Sequence, residues 1–548
     1  MIPLAKQIPE QHVERKYLEN LKELIAYIKE AYSDKVAFRY RKEGDICNVS
    51  FSQFSDDVTA LGEYLLAHDY GEGKRIALLG ENSYPWVVTY FAVINIGAVL
   101  VPIDKELKPN EIVHLLNDSE SALLVHAASK AGCIEEMKAI GVTTEAFLCI
   151  EDSFDAALAE GKKLLSEGSA AYQNVKIDRE KMCAIIYTSG TTGDPKGVML
   201  SHKNLASDAY HSMSCMIIPD VTCAILPLNH TFGAMASIIC QLWMGHTIFI
   251  NSGLKTVLKD IQEAKPGHIS VVPLYVENFY KNIWKAIDKQ GKTKLVKTMI
   301  AVSNAMRKVG IDLRKKLFKS IIDNFGGNLE MIISGGAPIS DMYMKGFDDL
   351  GITIINGYGI TECSPIVALN RNNNIRYGTV GNPVPSMQVK IENPDENGEG
   401  EIWVKGDIVM LGYYKKPEQT AAVMKDGWFN TGDIGRLEDN FLSITGRKKN
   451  LIILGNGKNV YPEEIETLIS FIENVTEVVV YQENEMIVAE VYTNAEENLE
   501  EVQAKIKADI LEVNKQLAAY KQVKKVIFRD TEFEKTTTKK IKRANIHA

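Results

Sequence analysis

An apolar run at residues 183–186 leads straight into YTSGTTGDPKGVMLSH, residues 187–202. This junction constrains the chain more than any other stretch. A short apolar run reads as a buried strand. Immediately after it come Gly190, Gly193 and Gly197, the hydroxyls of Thr188, Ser189, Thr191 and Thr192, and a single lysine, Lys196. Glycines leave backbone N–H groups unobstructed, hydroxyls add donors, and a lysine adds a point charge, so the turn suits a polyanion such as phosphate. The spacing G-x-x-x-x-G-K-[ST] of the common P-loop fits neither Gly190 nor Gly193. A plain surface turn accounts for the glycines and threonines, but not for a lysine set beyond two glycines after a hydrophobic strand.

At 548 residues the chain is too long for one core and is expected to hold at least two domains. Its net charge of −9 argues against bulk nucleic-acid binding. The eight cysteines are scattered, with no CxxC pair, which reads as reduced core thiols in a cytoplasmic protein without disulfides or zinc. Residues 86–103 carry no charge and reach the minimum length of a membrane span, but Asn95, Gly97 and Pro102 divide them. They read better as a buried helix and a short strand. At most, peripheral membrane contact is expected.

Strand and helix patterns alternate through the first half: strands at 36–40, 47–51, 75–79 and 122–126, helices at 17–32, from 52, from 85 and at 111–116. Ser52 is placed to cap the second helix. This alternation argues for parallel α/β sheets. Residues 291–319 are rich in lysine and arginine and read as a solvated helical face, with anionic lipid or another protein as a lesser alternative.

Five further strings stand out. LPLNHTFG contains His230, Thr231, Phe232 and Gly233. SGGAP, with Gly335, Gly336, Ala337 and Pro338, leaves room for a flat ligand at the carboxyl end of a strand. NGYGITECSP, holding Asn356, Gly357, Tyr358, Gly359, Thr361 and Glu362, sets an aromatic ring between glycines and a hydroxyl beside a carboxylate. GWFNTGDIG places Asp433 after a glycine, and TGRKKN carries Arg447 and Lys449. Beyond these the chain reads β-α-β-β-α-β, a small α+β unit. It ends in a basic tail containing Lys540.

Together these strings resemble the adenylate-forming (AMP-binding) superfamily, and within it bacterial long-chain fatty acid–CoA ligases. The resemblance runs from about Asp34 to Arg543. It implies a large N-terminal domain of parallel sheets with a β-barrel-like subdomain (1–446), a hinge (447–449) centred on Lys449, and a small mobile α+β lid (450–548). It also implies roles. Thr188, Ser189, Gly190, Thr191, Thr192 and Lys196 hold the ATP phosphates. Gly335 to Pro338 and Asn356 to Gly359 bind ATP or AMP, with Tyr358 stacked on the adenine. Thr361 touches phosphate and Glu362 carries Mg²⁺, a hard cation that takes oxygen ligands. Asp433 holds the ribose hydroxyls, and Arg447 touches ribose or phosphate. His230, Thr231, Phe232 and Gly233 line the acyl pocket, and Gly455 or Gly457 lines the path of coenzyme A. Lys540 is the catalytic lysine, although Glu534 and Lys539 replace the family's proline and glycine.

The implied partners are small molecules: fatty acid, ATP and coenzyme A, with Mg²⁺ as cofactor. An acyl-carrier-protein or aryl-acid ligase is the near alternative. A nucleotide-binding regulator without catalysis is the distant one, which would not need Glu362, Asp433, Arg447 and Lys540 together.

Overall fold

The computed structural model describes residues 14–188, 195–455, 458–495, 497–535, 541 and 543. Contacts divide the chain into two compact units, one formed by Met1–Gln388 with Lys405–Ala422, the other by Val389–Val404 with Val423–Ala548. The expected 447–449 hinge falls within the span of the second.

The first unit is built on two sheets. In the seven-stranded sheet, Arg75–Leu79 is flanked by parallel Val99–Ile103 and Leu123–His126. Val99–Ile103 in turn lies parallel to Met182–Thr188, which folds back antiparallel on Lys196–Ser201. These strands read as unbroken apolar runs because helices cover parallel sheets on both faces. The uncharged stretch at 86–103 is the buried helix Tyr84–Asn95 followed by the buried strand Val99–Ile103. Among the described residues no helix is long and apolar enough to cross a membrane.

In the nine-stranded sheet, the parallel strands Val221–Ala224, His268–Val271, Met331–Ser334 and Thr353–Gly359 lie side by side, extended by antiparallel Ile366–Leu369. Parallel neighbours end at one edge, so the LPLNHTFG, SGGAP and NGYGITE segments all leave this sheet at the carboxyl ends of strands. That edge is where open α/β sheets bind ligands. One local expectation fails: the helix Phe51–Ala67 is capped by Ser50, whose Oγ accepts from the N–H of Gln53 at 3.1 Å, and Ser52 lies inside the helix. The preceding strand ends earlier than its apolar pattern suggests, which moves the cap.

In the second unit, Met387–Glu392, Gly400–Gly406, Trp428–Glu438 and Phe441–Arg447 form an antiparallel sheet with the short strand Met424–Lys425. The C-terminal part then packs helices Pro462–Ile469 and Leu499–Asn514 on a sheet of Glu477–Glu483, Met486–Tyr492 and Lys525–Arg529. Ile465, Val480, Ile487, Val491, Ile506 and Ile510 form its core. The first strand of the expected β-α-β-β-α-β order pairs only as a two-stranded ribbon, Ile452–Ile453 with Asn459–Val460, outside that sheet.

Candidate active site

The glycine-threonine loop joins two strands of the first unit, and its ends are pinned. Thr188 and Lys196 are register partners across the hairpin, with Thr188 Oγ1 donating to the Lys196 carbonyl at 3.4 Å. Ser189, Gly190, Thr191 and Thr192 lie outside the described residues, as do Gly457 and Lys540.

A second segment, around the short strand Gly412–Tyr413, holds this hairpin to the NGYGITE motif. Tyr413 pairs with Val198, and the N–H of Tyr414 donates to the Gly197 carbonyl at 2.7 Å. The Lys416 ammonium donates to the Pro195 carbonyl at 3.1 Å. On its other side the segment meets Glu362: the Met410 N–H donates to the Glu362 carbonyl at 2.8 Å, and the Tyr413 hydroxyl donates to Glu362 Oε1 at 2.9 Å. The Lys196 ammonium stands 5.0 Å from the centroid of the Tyr413 ring, within cation–π range. Tyr413 thus joins the lysine and the carboxylate. Burial, and then the Glu362 charge, push its phenol pKa well up, so it remains a donor at neutral pH.

Glu362 sits on the one-turn helix Thr361–Cys363, which follows Thr353–Gly359 directly. Gly359 is required at the turn, because a Cβ there would lie 2.0 Å from the Pro365 carbonyl oxygen. Tyr358 is half-buried on that strand, opposite Ala368. Asn356 is buried; its amide donates to Thr379 O at 3.0 Å and its oxygen accepts from Asn370 at 2.5 Å, so its side chain is committed to the scaffold. Gly336, Ala337 and Pro338 are exposed, and the neighbouring Gly335 is buried beneath the Phe232 ring, which a Cβ would approach to 3.1 Å. Two strings 100 residues apart are therefore in contact.

His230, Asn229 and Thr231 supply the polar part of the lining of a narrow cavity otherwise walled by Tyr90, Ile186, Leu200, Leu205, Met235 and Ile239. Its volume, about 10 Å³, holds roughly one water. Met235 and Ile239 bound a π-helical turn that follows the short helix Thr231–Ala234, on which Gly233 is buried. Such turns inside α-helices are frequent at functional sites. The 226–228 backbone leading to this lining is held by Asn82, whose amide donates to Leu226 O at 2.8 Å and accepts from the Leu228 N–H at 3.0 Å. His230 Nε2 lies 3.5 Å from Asp104 Oδ2, and Thr231 Oγ1 lies 3.5 Å from Thr361 Oγ1. The polar lining of the cavity therefore lies next to the Thr361–Glu362 turn.

In the second unit, Asp433 and Arg447 are register partners on adjacent strands. Arg447 Nε donates to Asp433 Oδ1 at 2.8 Å; the carboxylate is buried, while the guanidinium is half-exposed. The Asp433 N–H donates to Thr431 Oγ1 at 3.1 Å. Lys449 lies on the turn Lys448–Asn450, its pKa lowered by burial and then by the charges of Arg447 and Arg543. Gly455 lines a cavity of about 340 Å³ with Glu485, Tyr520 and Lys524, and its N–H donates to Glu485 Oε2 at 3.2 Å. Close to the tail, Arg543 pairs with Glu466, a buried carboxyl pushed up to about 7 by desolvation.

Sequence reasoning missed Tyr413, Asn82 and Asp104. The GYY-x-x-PE string around Tyr413 was a usable signal, because a tyrosine between glycine and proline punctuation reads as a presented ring. Asn82 and Asp104 carried none.

Among the described residues no cluster of three or more His, Cys, Asp or Glu is arranged to hold a metal. Glu362 offers a single half-exposed carboxylate with one oxygen engaged by Tyr413. That suits Mg²⁺, which ordinarily takes one or two carboxylates and completes its shell with phosphates and water.

Residues 27–414 match the family model described as AMP-binding enzyme, and residues 449–548 match the AMP-binding enzyme C-terminal domain. A long-chain-fatty-acid–CoA ligase of Mycobacterium bovis is 29% identical over 79% of this chain and 75% of its own. Long-chain-fatty-acid–CoA ligase 5 of Mus musculus is 30% identical over 80% of this chain and 69% of its own. Among solved structures, ATP-bound MatB from Rhodopseudomonas palustris superposes with a TM-score of 0.74 at 26% identity, covering 96% of this chain and 98% of that one. An anthranilate CoA ligase with anthranoyl-AMP shares the fold, with a TM-score of 0.77 at 23% identity over 97% of both chains. With both of its parts matched and its large unit built as theirs are, the chain belongs to the AMP-binding enzyme family.

Proposed function

We propose that this protein joins a long-chain fatty acid to coenzyme A at the expense of ATP. In the first step a carboxylate oxygen attacks the α-phosphorus; the new O–P bond gives an acyl-adenylate, and the broken phosphoanhydride releases pyrophosphate. In the second, the coenzyme A sulfur attacks the acyl carbon, the C–S bond forms, and AMP leaves. One observation carries the reading: an apolar cavity whose polar lining includes His230 and Thr231 lies next to Thr361 and Glu362. A greasy acid could there place its carboxylate next to the phosphate-handling residues. The long-chain choice follows the names of the relatives.

The first step brings two anions together, so preorganised positive charge dominates it. Lys196 holds the β- and γ-phosphates. Mg²⁺ on Glu362, when bound, supplies charge against the triphosphate. Tyr358 stacks on adenine, and Asp433 with Arg447 holds the ribose. Lys540 meets the α-phosphate as charge shifts onto it. Lys449 is the hinge on which the C-terminal part withdraws that lysine and admits coenzyme A past Gly455 or Gly457.

The test is ATP–pyrophosphate exchange across acids of graded length, followed by thioester formation with coenzyme A and with acyl-carrier protein. Exchange rising with chain length and acceptance of coenzyme A support the assignment. Exchange with benzoate alone would make it an aryl ligase, and no exchange with any acid would leave a binder. Lys540→Ala should abolish adenylate formation, yet still convert a synthetic acyl-adenylate to thioester.

A further inference from the structure

The tail carries five cations from Lys535 to Arg543, and the outermost two are each held by a buried carboxylate. Glu477 opens the strand Glu477–Glu483, with its side chain 7% exposed. Its Oε1 pairs with the Lys535 ammonium, and its Oε2 accepts from the Phe533 N–H at 2.8 Å. Glu466 lies on the helix Pro462–Ile469, with its side chain 13% exposed. Its Oε1 accepts from the Val480 N–H at 2.6 Å, and its Oε2 accepts from Arg543. Arg543 also donates to the Val480 carbonyl at 3.4 Å and stands 3.9 Å from Glu463 Oε1.

These contacts close the base of a loop. Lys535 pairs with Ile541 in an isolated antiparallel bridge. Residues 536–540 lie outside the described residues, and Lys540 directly precedes Ile541 in sequence. Both ends of the loop are tied to one strand: Glu477 takes the incoming chain, and Val480 with Glu466 takes the outgoing one. Exposed ion pairs contribute little. A carboxylate withdrawn from water, by contrast, needs its partner, and losing one side of such a pair is costly. Burial raises the Glu466 pKa, and Arg543 is the foremost influence opposing it.

We propose that Glu466 and Glu477 are positioning residues for Lys540. They act through Arg543 and Lys535, setting where the chain enters and leaves the loop that carries the lysine. The inference rests on the adenylation role given to Lys540 above, and names what holds that residue in place. A preplaced charge works only at its place, and a displacement of about 1 Å can cost on the order of 100-fold in rate.

The test separates the two half-reactions in the full-length protein. Glu466→Gln and Glu477→Gln keep the size of the side chain and remove its charge. Arg543→Gln and Lys535→Gln release the same clamps from the tail's side. Each should slow acyl-adenylate formation, read as single-turnover pyrophosphate release with a linear fatty acid, by about tenfold to 100-fold. Each should still convert a synthetic acyl-adenylate and coenzyme A to thioester at the wild-type rate, since that step does not use Lys540. The thioester step passes through the C-terminal part, so its survival reports that this part is folded. The double variant Glu466→Gln/Arg543→Gln should be no slower than the slower single, because both remove one interaction. Equal loss of both half-reactions would mean that the carboxylates only hold the C-terminal part together, and overturns the proposal. So do multiplied losses in the double variant, or wild-type adenylation in both glutamate variants where Lys540→Ala abolishes it. Adenylation that survives Lys540→Ala would remove the role of the lysine itself, and the inference with it.

Discussion

The hydroxyl of Tyr413 donates to Oε1 of Glu362 at 2.9 Å, across 51 residues of sequence. The bond fixes the carboxylate by its neighbour in the fold through one of its two oxygens. A hydrogen bond to a charged group contributes about 1.5–3 kcal/mol. Tyr413→Phe keeps the ring beside Lys196 and removes only this bond. It should raise the Mg²⁺ concentration for half-maximal pyrophosphate exchange roughly tenfold, with the KM for coenzyme A unchanged. Glu362→Gln is the reference: if it leaves the Mg²⁺ requirement untouched, the carboxylate is not the metal's ligand. If it shifts the requirement and Tyr413→Phe does not, the tyrosine does not position it.

The Asp433–Arg447 pair sets up a second test. The carboxylate is buried and its guanidinium partner half-exposed, so removing the anion leaves the cation without its partner. Asp433→Asn should raise the KM for ATP about tenfold or more, the scale of one lost charge-assisted contact. The KM for the fatty acid should stay at the wild-type value. Steady-state kinetics with each substrate varied in turn separates the two.

Ile239 stands on the π-helical turn, 1% exposed, and lines a cavity with space for about one water. An acyl chain must widen that space. Ile239→Ala should therefore raise kcat/KM for branched acids relative to linear ones, at a stability cost of about 2–5 kcal/mol. Competition between a branched and a linear acid of equal carbon number reads the first effect, and the urea midpoint reads the second. An unchanged ratio would remove Ile239 from the pocket wall.

Acid should destabilise the first unit through His202. Its Nδ1 accepts from the Leu21 N–H at 3.3 Å and its Nε2 faces the Ile94 carbonyl at 3.1 Å, an arrangement that needs the neutral ring. Burial lowers its pKa from 6.5 to about 4. The folded state then binds fewer protons than the unfolded state between those values. Stability is fully present above 6.5 and is lost as pH falls through 4. The 2.5-unit difference (6.5 − 4) corresponds to about 3 kcal/mol at 1.36 kcal/mol per unit. Buried His246 and His268, lowered to about 4 and about 3, act in the same direction. His202→Gln should flatten the acid limb of a urea-midpoint profile by that amount, even if it lowers the midpoint at neutral pH.

What the sequence disclosed was local. Short apolar runs closed by glycine or proline mark strands, and the strands ending at Thr188, Ala224, Ser334 and Gly359 follow from that pattern, although the run at 222–226 ends as a strand two residues earlier than its pattern suggests. Periodicity separates the buried helix Tyr84–Asn95 from a membrane span because Gly97 and Pro102 interrupt it. What it withheld was long-range. No spacing rule connects Asn82 to Leu226, Tyr413 to Glu362, or Phe232 to Gly335, since each contact depends on which strands become neighbours. Asp433 and Arg447 were each singled out for a ligand, yet only sheet register makes them partners.

The chain passes from one compact unit to the other at residues 388–389, returns at 404–405, and leaves again at 422–423. Three covalent links mean that no single cut releases the second unit whole. A fragment beginning at Val423 would lose Gly400–Gly406, the strand that pairs with Trp428–Glu438, and would offer that bare edge to any passing β-strand. A fragment beginning just beyond Arg447 would leave the severed sheet behind and keep a hydrophobic centre of its own, Ile465 to Ile510. Proteases and protein engineers alike should find the soluble piece there.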